Sequence, residues 1–238
     1  MSRMIDVPIN NKELIEKLDK FLWFYEEREN LQKYTHVTGE GSSRNEWVSE
    51  KYLEEIQLQG HEHEGFPDKI LGWNVDPAKL IPNRKGSVAD SGDLEECNQN
   101  TWLSKASTTY SSANFDLGSW LCIRNNALAT LYPPNGFISW HNNANAAAYN
   151  FIFTWSETGE GHFKYLDAKT GEIVVLQDKK GWNCKAGYFG SYNEYEEFLC
   201  YHAAETDCWR FTLGYMMDGS DSALGNQEDL ISEISDIS

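Results

Sequence analysis

The polar and apolar positions change period along the chain. From Asn10 the apolar residues Leu14, Ile15, Leu18, Phe21, Leu22 and Tyr25 recur at helical spacing, with Lys12, Glu16, Lys17, Asp19 and Lys20 on the opposite side. Asn10 or Asn11 is placed to cap this helix, whose apolar stripe predicts packing against the outside of a sheet. The Trp23-Phe24-Tyr25 cluster reads as core or as a contact surface. Gly39 to Arg44 breaks the pattern, and Glu46 to Leu58 predicts a second short helix. Residues 65–100, with Pro67, Pro77 and Pro82, read as an irregular connection lying across the mouth of a strand-rich C-terminal half.

After about residue 101 the period shortens to two. Trp120 to Arg124, Ala127 to Tyr132, Gly136 to His141, Phe163 to Leu166, Ile173 to Leu176, Lys185 to Phe189, Leu199 to His202 and Cys208 to Met216 read as short strands between turns. Tyr149 to Trp155 is the clearest: Tyr149, Phe151, Phe153 and Trp155 share one face, and Asn150, Ile152 and Thr154 the other. So many short strands predict a closed or two-sheet antiparallel barrel with an N-terminal helical layer, an α+β fold that is mainly β. The expected division is 1–100 as helices and covering region, 101–217 as the barrel, and 218–238 as a mobile acidic tail.

Composition narrows the options. A 238-residue chain with 40% hydrophobic residues can bury one good core. The formal charge of −17 opposes binding to phosphate backbones, so general nucleic-acid binding is disfavoured. No apolar run suggests a membrane span or a signal peptide, which predicts a cytoplasmic protein. Five widely spaced cysteines without a CxxC pair read as buried free thiols. His61-Glu62-His63-Glu64 reads as a solvated loop, since His-x-His has no further ligands nearby in sequence.

The candidate chemistry lies in Trp140-His141-Asn142-Asn143, in Tyr201-His202 and in Arg210-Phe211-Thr212. Arg210 and Thr212 share a strand face, so a hydroxyl sits beside a guanidinium. A buried Arg210 needs an anion, which Glu205 or Asp207 would supply if no ligand does. His162, in the turn Gly159-Glu160-Gly161, reads as exposed.

In order and spacing these features resemble the iron(II)- and 2-oxoglutarate-dependent oxygenases. The stretches that carry the resemblance are Tyr132-Pro133-Pro134-Asn135-Gly136 through His141, Thr158 to Phe163, Lys185 to Phe189, Tyr201-His202, and Arg210 to Thr212, somewhat under half of the chain. The texture also looks like oxygenase-like proteins of tailed bacteriophages, especially those of marine cyanobacteria. The resemblance implies a double-stranded β-helix (a jelly-roll, cupin-like barrel). It implies Fe(II) held by His141 and His202, and 2-oxoglutarate held by Arg210 and Thr212 with Tyr132, Tyr149 and Asn150 lining its pocket. It also implies hydroxylation of an unidentified small molecule or protein side chain, with residues 61–118 as a substrate-facing lid. A phage member would work in the host cytoplasm or the virion, with a phage protein as partner.

The sequence departs from the family at Asn143, where the resemblance implies a carboxylate ligand two residues after His141. An amide oxygen is a neutral, weaker ligand for iron(II). Asp207 is a further carboxylate near His202. The alternatives are a metal held by His141, His202 and Asn143, an anion in the vacant position as in halogenases of the family, or a non-catalytic barrel kept as a binding or virion-associated module.

Overall fold

The computed structural model describes residues 4–83, 94–123, 125–195, 198–217 and 221–236. Among these, eleven strands form two antiparallel sheets. They are β1 (Met4–Val7), β2 (Ile70–Leu71), β3 (Trp73–Asn74), β4 (Asn125–Tyr132), β5 (Phe137–His141), β6 (Ala148–Ser156), β7 (Gly161–Asp167), β8 (Glu172–Gln177), β9 (Gly181–Phe189), β10 (His202–Thr206) and β11 (Arg210–Met217). The six-stranded sheet runs β1-β9-β6-β11-β4-β3 and the five-stranded sheet β2-β5-β10-β7-β8. From β4 to β11 successive strands therefore alternate between the sheets, except that β7 and β8 both lie in the smaller one, which is the winding of a double-stranded β-helix. The α+β class and the barrel stand as the sequence implied.

Helices cover the larger sheet. Asn11 caps α1 (Lys12–Asp19), its side chain accepting from the Leu14 amide at 3.1 Å. Short α2 (Trp23–Glu26) and α3 (Arg28–Tyr34) continue it. Leu14, Leu18, Phe21, Phe24 and Leu31 are buried in one cluster with Phe151, Phe153, Phe211 and Leu213 of the sheet. Trp23 stacks on Trp102 and Tyr25 leans on Trp155, so this aromatic cluster is core rather than a contact surface. The second helical region is broken into α4 (Arg44–Trp47) and α5 (Glu50–Gln59), the latter capped by Ser49. Both pack on β5, on the outside of the smaller sheet.

Two expectations need correcting. Trp120 to Leu121 is not strand but the end of a 28-residue helix, α6 (Leu94–Leu121); Arg124 lies outside the described residues. Trp102, Ala106, Tyr110, Ala113, Leu117 and Leu121 form its buried stripe, and alanines at two of those positions dilute the apolar pattern. Nor is the acidic C-terminal stretch free chain: Asp221–Ser235 is helix α7. Ile234 is buried in the main cluster, and its carbonyl accepts from the Asn10 and Asn11 amides at 3.1 and 3.2 Å. A helix C-terminus thus finds partners for a carbonyl that the helix itself leaves open.

The thiols also differ from expectation. All five cysteines are free, but only Cys184, Cys200 and Cys208 are buried, while Cys97 and Cys122 are exposed. No described helix is long and apolar enough to cross a membrane.

Candidate active site in the barrel

The two sheets face each other across a cavity of about 360 Å³. His141 reaches it through an irregularity in β5. The β5–β10 register pairs His202 with His141 but Ala204 with Ile138, a one-residue shift that marks a β-bulge. The bulge lets both Ile138 and His141 line the cavity. Trp140 turns the other way, donating its indole N–H to the Val48 carbonyl at 3.0 Å.

The His141 and His202 rings lie 4.0 Å apart, centroid to centroid. Each has its Nδ1 against a carbonyl two residues back, Ser139 at 2.8 Å and Cys200 at 2.7 Å. Burial pushes the His141 pKa down to about 4, against the Ser139 carbonyl and His202 backbone, which raise it. Burial and then the neighbouring His141 hold His202 well below the ordinary histidine value. Both rings are therefore neutral near neutrality. A neutral ring that donates from Nδ1 carries its lone pair on Nε2, the form that ligates a metal.

Asn143 lies past the end of β5, with φ of 65°, and Ala144 comes next at 54°. The Gly65 carbonyl clamps this turn, accepting from the Asn142 and Asn143 amides at 3.3 and 2.7 Å. Gly65 has φ of +78°, and a Cβ there would meet the Ala144 nitrogen at 2.3 Å. Only glycine fits so close an approach. Asn143 lines the cavity beside His141. His63, two residues before Gly65, is buried rather than solvated, its Nδ1 accepting from the Gly65 amide at 3.1 Å. Its Nε2 lies 3.6 Å from Asp68, which also accepts from the Tyr52 hydroxyl.

At the other end of the cavity Arg210 is 2% exposed and its partners are all on the inner side. Nε donates to Asp178 Oδ2 at 2.8 Å, Nη1 to Thr212 Oγ1 at 2.7 Å and Nη2 to Thr154 Oγ1 at 3.3 Å. Lys185 Nζ donates to the other Asp178 oxygen at 2.7 Å. Arg210 and Lys185 keep the Asp178 pKa below the usual carboxylate value despite its burial. The counter-ion is therefore Asp178, not Glu205 or Asp207. Glu205 instead bonds His162, Lys164 and Arg44 on the outer face, so His162 is half-buried and paired rather than free. Asp207 pairs with Arg44 at 2.6 Å, away from the histidines.

His141, Asn143, His202, Arg210, Thr212, Tyr132 and Asn150 all line this one cavity. Tyr132 is 1% exposed and its hydroxyl makes no hydrogen bond of normal length. Burial pushes its pKa up to about 12, offset in part by Arg210 and the Thr130 hydroxyl. Asn150 is buried and donates to the Ala148 carbonyl at 3.0 Å. Tyr149 is on the opposite strand face, packed on the helical core, and does not reach the cavity. Of the expected lid 61–118, the described residues that line the cavity are Phe66, Pro67, Ile70, Asn74 and Lys79, and residues 84–93 lie outside the described residues. Helix α6 lies on the other side of the larger sheet.

Sequence reasoning missed Asp178 and Lys185. Lys185 shares the inward parity of β9, since it pairs with Ile152, and a lysine there is the signal. Asp178 precedes Lys179-Lys180 in a turn, where an acid looks solvated.

Among the described residues no group of three or more His, Cys, Asp or Glu side chains is placed to hold a metal ion. The donor set is a pair of neutral imidazoles with an amide beside it. Two such rings fit a first-row divalent ion, and the amide leaves the pair without a carboxylate.

No protein-family model matches the chain, and no curated protein sequence matches it. Similar solved structures include a Pseudomonas putida prolyl-4-hydroxylase, at 12% identity and TM-score 0.29, covering 79% of this chain and 95% of that one. OsALKBH1 aligns at 11% identity and TM-score 0.37, covering 92% and 98%. A Bacillus subtilis arabinoxylan arabinofuranohydrolase aligns at 12% identity and TM-score 0.22 over 38% of this chain and 21% of that one. Likenesses this loose carry no argument about activity.

Proposed function

We propose that the cavity is the site of an iron(II)- and 2-oxoglutarate-dependent dioxygenase that hydroxylates a small molecule or a protein side chain, with Asn143 where a carboxylate ligand would stand. The observation that carries this reading is one cavity with a pair of neutral imidazoles at one end and a buried, braced guanidinium at the other. The sequence resemblance points the same way. His141 and His202 would hold the metal through Nε2, with Asn143 contributing at most an amide oxygen. Bound iron(II) would supply dioxygen activation coupled to oxidative decarboxylation of the oxoacid.

The chain's own part is binding and orientation. Three of the five N–H groups of Arg210 go to Asp178, Thr212 and Thr154, which fixes the guanidinium plane. Thr212 accepts from Arg210, so its own proton is available to a carboxylate in the cavity. Tyr132 supplies a second hydroxyl without a partner of its own. The apolar lining, including Phe163, Phe189 and Ile152, limits water around the histidines. The rim from Phe66 to Asn74 would carry substrate selectivity.

Anaerobic addition of iron(II) and 2-oxoglutarate should give the weak visible charge-transfer band of the chelate. His202→Ala should abolish it, and Asn143→Asp should raise iron retention. No band and no retained iron would sink the reading. Asn143 itself favours a second one: a non-catalytic barrel that binds an anion, in the cytoplasm or as part of a virion. That protein would bind the oxoacid without iron and form no succinate.

A further inference from the structure

We propose that Asp178 sets the charge of the anion that the cavity accepts, so that Arg210 takes one carboxylate in preference to a phosphate dianion. The proposal rests on the reading of Arg210 as the anion clamp of the site. Asp178 and Lys185 have fully buried side chains, and Arg210 is 2% exposed. Two cations and one carboxylate leave this cluster with a single positive charge. Lys79 also lines the cavity but is exposed at the rim, where water screens it.

A buried excess charge is costly unless something neutralises it. One carboxylate does so; a phosphate dianion would overshoot and leave a buried negative charge. The hydrogen-bond geometry agrees. Asp178 occupies the Nε side of Arg210, and the Thr212 and Thr154 hydroxyls take one hydrogen from each terminal nitrogen. These bonds use three of the five N–H groups of Arg210, and the two left over, one on each terminal nitrogen, are donors of the kind that pair with a carboxylate. Tyr132, buried with an unpartnered hydroxyl and its ring 5.9 Å from the Arg210 guanidinium carbon, is a second and independent sign that this end awaits a polar ligand. The brace is built tightly: a Cβ on Gly161 would sit 2.9 Å from Asp178 Oδ2.

The test is a charge series, titrated metal-free with butyrate, a monocarboxylate, and with inorganic phosphate, a dianion at mildly alkaline pH, with amide NMR as the readout; 2-oxoglutarate is titrated separately as the check on the site itself. Lys185→Met removes the excess charge and should weaken both anions by about tenfold or more. Adding Asp178→Asn to Lys185→Met restores the single positive charge and should bring butyrate back to within about threefold of wild type. Asp178→Asn alone should shift preference toward phosphate by about tenfold. A double variant as weak as Lys185→Met, or an unchanged preference in Asp178→Asn, would overturn the proposal while wild-type oxoacid binding kept the oxygenase reading alive. Should Asp178→Asn not fold, the other two variants still decide. A wild-type protein that takes neither these anions nor 2-oxoglutarate overturns both readings together.

Discussion

The two faces of the six-stranded sheet are built from the same strands and behave oppositely. On β6 and β11 the outward residues Phe151, Phe153, Phe211 and Leu213 are fully buried beneath the helices and form the main apolar core. Their inward neighbours Asn150, Thr154, Arg210 and Thr212 are as deeply buried, yet polar. In most small barrels the interior carries the core; here the larger core lies outside it, between sheet and helices, and a smaller one with Ile152, Phe163 and Phe189 lines the interior. The difference separates two duties. The outer face supplies stability through area removed from water, and the inner face holds donors in place at some cost in desolvation.

The largest expected effect comes from the outer face. Phe211 is fully buried, with the rings of Phe21 and Phe24 at 6.1 and 6.5 Å. Phe211→Ala should lower the unfolding free energy by about 3–5 kcal/mol in a denaturant titration. Whatever remains folded should keep its affinity for the oxoacid. A large loss of affinity with little loss of stability would invert the division between the faces.

Next comes a carboxylate on the far side of the other sheet, the counterpart of Asp178. Glu205 is held down to about 2 by His162 and Lys164 bonds that outweigh its burial. A folded-state pKa below the unfolded value means stability that is complete above about 4.5 and is lost as pH falls toward 2. The shift corresponds to roughly 3 kcal/mol at most. Glu205→Gln should be less stable at neutral pH and should show a flatter acid limb. A variant with the wild-type slope between those pH values would assign the acid sensitivity elsewhere.

The sequence carried the strand faces well because period two is local. Phe151 and Phe153 against Asn150 and Thr154 needed no tertiary knowledge, and the placing of His141, His202, Arg210 and Thr212 came from strand order. Four features did not show in the sequence. The β5 bulge that brings both Ile138 and His141 to the cavity depends on the register with β10. The Asp178 brace joins a turn residue to a strand 32 positions away, so Glu205 and Asp207, nearer in sequence to Arg210, looked like better counter-ions. Helix α6 hid because a stripe that uses Ala106 and Ala113 has little apolar contrast. The Gly65 clamp on the Asn142–Ala144 turn shows only once the two segments are in contact.

The smallest effect is the most discriminating for the inner face. Thr154 is fully buried, and its Oγ1 accepts from Arg210 Nη2 at 3.3 Å. Thr154→Val keeps the shape and removes only that acceptor, so stability should fall by about 0.5–1.5 kcal/mol. The guanidinium would keep Asp178 and Thr212 but lose the contact that fixes the rotation of its far nitrogen. Affinity for 2-oxoglutarate should therefore fall several-fold, and the Arg210 side-chain NMR signal should broaden. An apolar face would respond the other way, since adding a methyl in place of a hydroxyl there would stabilise it. If Thr154→Val stabilises the protein and leaves oxoacid binding unchanged, the inner face is ordinary core, and the polar row on β6 and β11 does not position Arg210.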